Sequence, residues 1–341
     1  MGIHSSARRP DALAAALTLL FAHSPAAAQI DPGALNGPWR EGARDCKAAR
    51  EPPLEVRAVG SGVYILRESL CATPEAPFMY LLVGKARALL IDTGDVADPA
   101  QAPLAGTVLA LLQPSGGSTL PLLVVHTHRH LDHRAGDAQF AHRSGVQVVG
   151  YDLASVRRFY GFTRWPQGMA RIDLGGRTVD ALPTPGHSAT HVAFYDEATG
   201  LLFSGDFLLP GRLFIEDASA YRASARRIAA FVKDRPVSAV LGGHIEVDAH
   251  GKLFEWGSHD HPGERALPLG KADILALPAV LGRFNGVYSR SGGFEMINSI
   301  VELVVAGVVI VAALAAVIAL AAAIVRRRGK MGRLRASTQP V

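Results

Sequence analysis

Between Gly60 and Gly243 the apolar residues come mostly in short runs closed by Gly, Pro, Asp or Thr, a spacing that fits strands better than long helices. Residues 62–66, 78–83 and 88–92 read as successive strands split by turns, and 120–125 as a short buried strand. Residues 146–150, 179–182, 192–195, 201–203 and 237–241 complete the set; the 196–200 turn makes a hairpin of two of them. Helical spacing is confined to 103–113, a short stretch at 137–143, and 217–233 with Asp217 at its cap, plus one helix at most within 269–283. This alternation predicts an α/β sandwich, two mixed sheets face to face with helices outside and functional loops along one edge. No internal repeat with a period of roughly 20–50 residues interrupts it.

The ends of the 341-residue chain follow a different pattern. Residues 1–28 read as a secretory signal: Arg8 and Arg9, an apolar stretch from Ala12 to Ala22, and Ala26-Ala27-Ala28 before Gln29. Residues 303–325 contain no charged side chain, a length that spans a hydrocarbon core of about 30 Å. Arg326, Arg327, Arg328, Lys330, Arg333 and Arg335 follow at once, which places the tail in the cytoplasm. The expected organisation is a signal peptide (1–28), an irregular leader (29–60), a catalytic domain (61–285), a linker (286–299), a transmembrane helix (300–325) and a basic tail (326–341). The catalytic part would lie outside the cytoplasm, in the periplasm of a bacterial cell.

That organisation changes how the charge is read. The formal net charge is +5, but the first 28 residues carry +1 and the tail +6, leaving −2 for everything between. There is no basic footprint for a nucleic acid, and the expected partners are a small-molecule substrate and the membrane. The sequence names no protein partner. Cys46 and Cys71 are the only cysteines, both in the exported part, where either a disulfide or two free thiols is possible.

The chemistry is concentrated in Thr127-His128-Arg129-His130-Leu131-Asp132-His133, three imidazoles and a carboxylate just past a buried strand. Such donors suit a divalent metal of borderline softness, zinc first, with iron or manganese as alternatives. His128 and His130 can face one metal while Asp132 and His133 face a second. His187 after a Pro-Gly turn, Asp206 at the end of 202–206 and His244 at the end of 240–244 add donors at further strand ends. Together they match the composition of a two-metal hydrolytic site.

These residues resemble the metallo-β-lactamase-fold superfamily, through the HxHxDH signature, the later single ligands in the same order, and the strand-end Asp92. The likeness runs from about residue 60 to 246 and implies a four-layer αββα sandwich. It implies His128, His130 and His187 on a first zinc, Asp132, His133 and His244 on a second, and Asp206 bridging, with Asp92 bracing the metal loop from behind. Asp132 is the catalytic candidate, orienting the attacking hydroxide between the metals and then carrying a proton. The Asp-bridged pattern resembles hydroxyacylglutathione hydrolases and lactonases, and so implies hydrolysis of an ester, thioester or lactone. The alternatives are a mononuclear iron enzyme similar to persulfide dioxygenases and a β-lactam hydrolase.

Around this centre, residues 159–166 are a candidate pocket wall, aromatic with one cation, or a packed corner. Tyr221 and Arg222 are a weaker pair for the same task, and 254–262, with His259 and His261, a lid or a surface loop. His126 is expected at the strand end or against the ligand shell; His142, His191 and His250 are expected to be structural or superficial.

Overall fold

The computed structural model describes residues 29–113 and 120–298, with scattered helical positions between 301 and 318. The expected signal (1–28), the basic tail and much of 300–325 lie outside the described residues. Among the described residues, no helix is long and apolar enough to cross a membrane.

Two sheets form the body of the fold. The first orders β1 (Leu54–Gly60), β2 (Val63–Glu68), β3 (Phe78–Val83), β4 (Ala88–Ile91), β5 (Leu122–Val125) and β6 (Val146–Val148) side by side. Its first four strands pair antiparallel, and β4, β5 and β6 pair parallel. The second sheet comprises β7 (Ala170–Asp173), β8 (Thr178–Pro183), β9 (Val192–Asp196), β10 (Leu201–Gly205) and β12 (Ala239–Gly242). Only β10 and β12 are parallel there. Both sheets are mixed, as expected.

The unbroken apolar runs have a direct cause: the central strands are covered on both faces. Ile65, Tyr80, Ile91 and Val125 of one sheet meet Val179, Phe194, Phe203 and Leu241 of the other in the inner core. Alternate residues point outward. Met79, Leu81 and Leu90 pack under α3 (Leu104–Leu111) and Phe140 of α4 (Asp137–Phe140). Tyr195, Leu202 and Val240 pack under α6 (Ala218–Val232) and α7 (Lys271–Gly282). The result is the expected helix–sheet–sheet–helix layering. Asp217 caps α6 as predicted, its side chain accepting from Ser219 N and Ala220 N at 2.9 Å each.

The edges depart from expectation. The leader, expected to be irregular, contains α1 (Pro32–Asn36), α2 (Cys46–Ala49) and the edge strand β1. Cys46 and Cys71 form a disulfide, Cα atoms 5.2 Å apart, which staples α2 to the turn after β2. The 286–299 stretch, expected as a linker, instead carries a hairpin of β13 (Tyr288–Ser291) and β14 (Phe294–Ile297). Gly292 and Gly293 both have positive φ, 62° and 84°, as the tight turn between twisted strands requires. β14 then pairs in parallel with β11 (Arg212–Phe214), so residues 286–298 belong to the same folded body as the candidate metal loops.

A buried bidentate pair, Arg67 Nη1 and Nη2 to Glu264 at 2.6 and 2.7 Å, ties the 254–264 loop to β2. Residues 159–166 are the packed corner. α5 (Leu153–Tyr160) ends there, Phe162 is buried, and Phe159, Tyr160 and Trp165 pack against the inner core.

Candidate metal centre

Each candidate donor stands just past the end of a strand. His128, His130, Asp132 and His133 follow β5, His187 follows β8, Asp206 follows β10 and His244 follows β12. Because these strands end at one edge of the sandwich, seven side chains distant in sequence meet there in two groups.

In the first group three ring nitrogens converge. His128 Nε2 lies 2.9 Å from His130 Nδ1 and 3.1 Å from His187 Nε2, and the third edge is 3.0 Å. In the second group His133 Nε2 lies 3.4 Å from both Asp132 Oδ2 and Asp206 Oδ1. His244 Nε2 lies 3.3 Å from Asp132 Oδ2 and 3.7 Å from Asp206 Oδ1. The other oxygen of Asp206, Oδ2, faces the first group, 3.6 Å from His187 Nε2.

The far nitrogen of every one of these imidazoles is held. His133 Nδ1 donates to Asp92 Oδ2 at 2.9 Å, His187 Nδ1 to the Phe214 carbonyl at 3.1 Å and His244 Nδ1 to the Glu75 carbonyl at 2.7 Å. His130 Nε2 donates to Glu216 Oε1 at 3.2 Å, and His128 Nδ1 lies 3.1 Å from Thr127 Oγ1. Asp92 also accepts from the Thr127 amide and hydroxyl at 2.7 and 2.8 Å, which pins the start of the metal loop. Its φ of 65° is unusual for a side chain-bearing residue, a local strain tolerated where the carboxylate must turn into the site. Proton donors aimed outward leave lone pairs aimed inward.

The donors fit a metal. Three nitrogens about 3 Å apart, each with its proton committed elsewhere, repel one another unless a cation lies between them, and such edges suit metal–nitrogen bonds of about 2.0–2.1 Å. Asp206 Oδ1 is buried without a hydrogen-bond partner. That loss is costly for a carboxylate unless an ion or proton answers it.

Electrostatics separate the two groups. Burial, reinforced by the neighbouring imidazoles, holds His128 well below the usual histidine range; burial lowers His187 to about 4 despite the pull of Asp206. Burial opposes charge on His244 as well, yet Asp206 and Asp132 outweigh it and push it up to about 10. Burial likewise works against a charged His133, but Asp206, Asp132 and Asp92 carry it well above its ordinary value. Burial disfavours ionised Asp132 and Asp206, but the imidazoles, His133 foremost, hold both well below the usual carboxylate range.

Without metal His128 and His187 are therefore neutral, and the second group is a proton-holding set of imidazoliums and carboxylates. Metal binding needs neutral imidazoles, so filling the second group must release protons from His133 and His244, while His128 and His187 have none to lose. Affinity at the second group is expected to fall by up to about tenfold per proton for each pH unit below the folded value, with His128 and His187 adding no such loss at neutral pH. Calorimetric titration in buffers of different ionisation enthalpy measures this. Equal proton release from both sites would contradict it.

The centre forms the floor of a cleft of about 670 Å³. Its wall includes Leu131, Phe214 and Trp256, the last in the 254–262 stretch considered as a lid. Residues 159–166 do not line it, and neither do Tyr221 and Arg222. Tyr221 stacks on Phe207 and donates to the Phe207 carbonyl at 2.6 Å, bracing the turn that carries Asp206. Arg222 holds carbonyls at the end of α7. His261 pairs with Glu264, and His126 Nε2 meets Asp137 at 2.8 Å behind the metal loop. His191, expected to be structural or superficial, is fully buried and stacked on His128 with ring centroids 5.3 Å apart.

With this arrangement in view, the comparisons with known proteins are specific. A family model described as the metallo-beta-lactamase superfamily matches residues 72–244. The chain belongs to the metallo-beta-lactamase superfamily. Among curated relatives, a hydroxyacylglutathione hydrolase from Chromohalobacter salexigens is 30% identical over 58% of this chain and 74% of its own length. An acyl-coenzyme A thioesterase from Gallus gallus is 26% identical over 60% of this chain and 84% of its own. A solved metallo-beta-lactamase from Pontibacter korlensis is 21% identical, covering 66% of this chain and 99% of its own, at a TM-score of 0.44.

Glu216 is the functional contact that sequence reasoning missed. It sits between β11 and α6, far from the HxHxDH run, and no motif marks it. The carbonyls of Glu75 and Phe214 were equally invisible, because any residue supplies one.

Proposed function

We propose that this metal-dependent hydrolase cleaves thioesters or related acyl esters and lactones at a two-zinc centre. It is exported and tethered by its apolar C-terminal segment. The observation that carries the reading is the placing of Asp206, whose two oxygens face two complete donor groups on the floor of one cleft. The thioester substrates named in both curated relatives support the choice of bond. The uncharged stretch 303–325 and the basic cluster after it support the tether, and residues 1–28 support export.

His128, His130 and His187 would hold one ion and Asp132, His133 and His244 the other, with Asp206 shared. Bound there, the ions would acidify a water and polarise the acyl carbonyl. Asp132 does the proton work: its Oδ2 lies beside His133 and His244, and its side chain is 22% exposed to the cleft. From that position it can orient the water, accept its proton and pass it to the departing thiolate. Asp206, largely buried and with its two oxygens turned to the two donor groups, is kept as a ligand. Leu131, Phe214 and Trp256 cover an acyl chain and keep bulk water from the reacting carbonyl.

The purified protein is expected to hydrolyse a simple thioester such as phenyl thioacetate, to lose that activity on dialysis against a chelator and to regain it with zinc. Hydrolysis that survives complete metal removal would overturn the proposal.

A further inference from the structure

The wall of the cleft above the ligands has a charge pattern that bears on which thioester it takes. Four carboxylates outside the ligand set line it, Glu75, Asp95, Glu216 and Glu246, against the single guanidinium of Arg212. Arg212 is buried and its donors are committed. Nη2 donates to the Phe254 carbonyl at 2.7 Å, Nη1 lies 3.5 Å from Glu246, Nε lies 4.0 Å from Glu295, and the plane stacks over Trp256.

Two of the carboxylates are compensated: Glu246 by Arg212, and Glu216 by Arg129 at 3.2 Å and by His130. The other two are not. Among the described residues no Lys or Arg pairs with Glu75 or Asp95; Asp95 is held only by the neutral hydroxyl of Thr73. Both line the cleft beside Asp132 and His244, and the Glu75 carbonyl is the one that fixes His244. Apart from Thr73 the remaining lining is apolar or aromatic, with Leu131 and Trp256 58% and 63% exposed.

Among the described residues, an anionic leaving group therefore meets on the wall two carboxylates that no Lys or Arg pairs, and no Lys or Arg free to receive it. Coenzyme A carries several phosphate charges and glutathione two carboxylates, and recognising either calls for arginines or lysines placed to receive them. We propose that this cleft selects acyl thioesters or esters whose leaving group is neutral or cationic, and discriminates against polyanionic thiol carriers such as coenzyme A and glutathione. The inference rests on the hydrolase reading above and narrows its substrate class. Like charges about 6 Å apart at a protein surface cost between about threefold and about a hundredfold in affinity, and charges farther along the carrier cost less, so the first negative charge near the thiol should cost about tenfold.

The test compares kcat/KM of the full chain, solubilised in neutral detergent, on one acyl group carried by thiocholine, ethanethiol, glutathione and coenzyme A. The expected order runs from the cationic to the most anionic carrier, with about a hundredfold or more between the ends. Added salt should lower the rate with thiocholine and raise it with coenzyme A. In the double variant Glu75→Gln, Asp95→Asn the thiocholine-to-coenzyme A ratio should fall about tenfold or more, a ratio within one protein that is insensitive to any general loss of activity. Best turnover of the coenzyme A or glutathione thioester, or an unchanged ratio in the double variant, would overturn this inference and leave the hydrolase standing. Turnover of none of the four would overturn the hydrolase reading and this inference with it.

Discussion

Asp206→Ala is expected to reduce thioester turnover by at least about a thousandfold and to take the bound metal from two ions to one. Among the described residues, Asp206 is the donor that faces both groups, Oδ1 towards His133 and His244 and Oδ2 towards His187. Its loss leaves the first group with three nitrogens, enough for one ion. The second group keeps Asp132, His133 and His244 but loses the carboxylate that contributes most to their electrostatic balance. Kinetics and metal analysis on one preparation measure both effects. A variant that keeps two ions and activity within tenfold would show that the carboxylate does not bridge.

Gly243→Ala should be almost as severe, although it changes no ligand. A Cβ built there would stand 2.3 Å from Asp206 Oδ1 and 2.8 Å from His133 Cε1, well inside contact distance. The backbone cannot yield easily, because Gly243 N donates to the Gly205 carbonyl at 3.0 Å and its own carbonyl accepts from Phe78 at 2.8 Å. The methyl group therefore displaces the Asp206 carboxylate or the His133 imidazole. The expected outcome is a fall in kcat/KM of about a hundredfold or more with weakened second-metal binding, against only about 1–3 kcal/mol of lost stability from overpacking. Thermal unfolding followed alongside metal titration separates the two. An Ala variant with wild-type metal affinity would mean that the close approach is relieved by movement elsewhere.

What the sequence showed and what it hid divide along physical lines. The central strands were legible because burial on both faces makes them apolar throughout, and the donors because His and Asp past strand ends are rare without a task. The strand β1 and the hairpin β13–β14 were missed because edge elements are half-solvated and short. Their signals, the alternation in 54–59 and the Gly292-Gly293 turn, are local and weak. The 159–166 segment misled because aromatic content marks a packed corner as readily as a pocket. Trp256, 63% exposed beside Phe214, lies in a stretch where no periodicity operates. Contacts such as Glu216 to His130 depend on which loops meet in space, a matter of topology rather than of any local pattern.

The most direct test of the central claim is the metal content of the purified protein, measured together with its turnover of a simple thioester. Two zinc ions per chain with thioester hydrolysis is the predicted result. One iron per chain, with oxygen consumed on a persulfide and no hydrolysis, would contradict the account while leaving the fold intact.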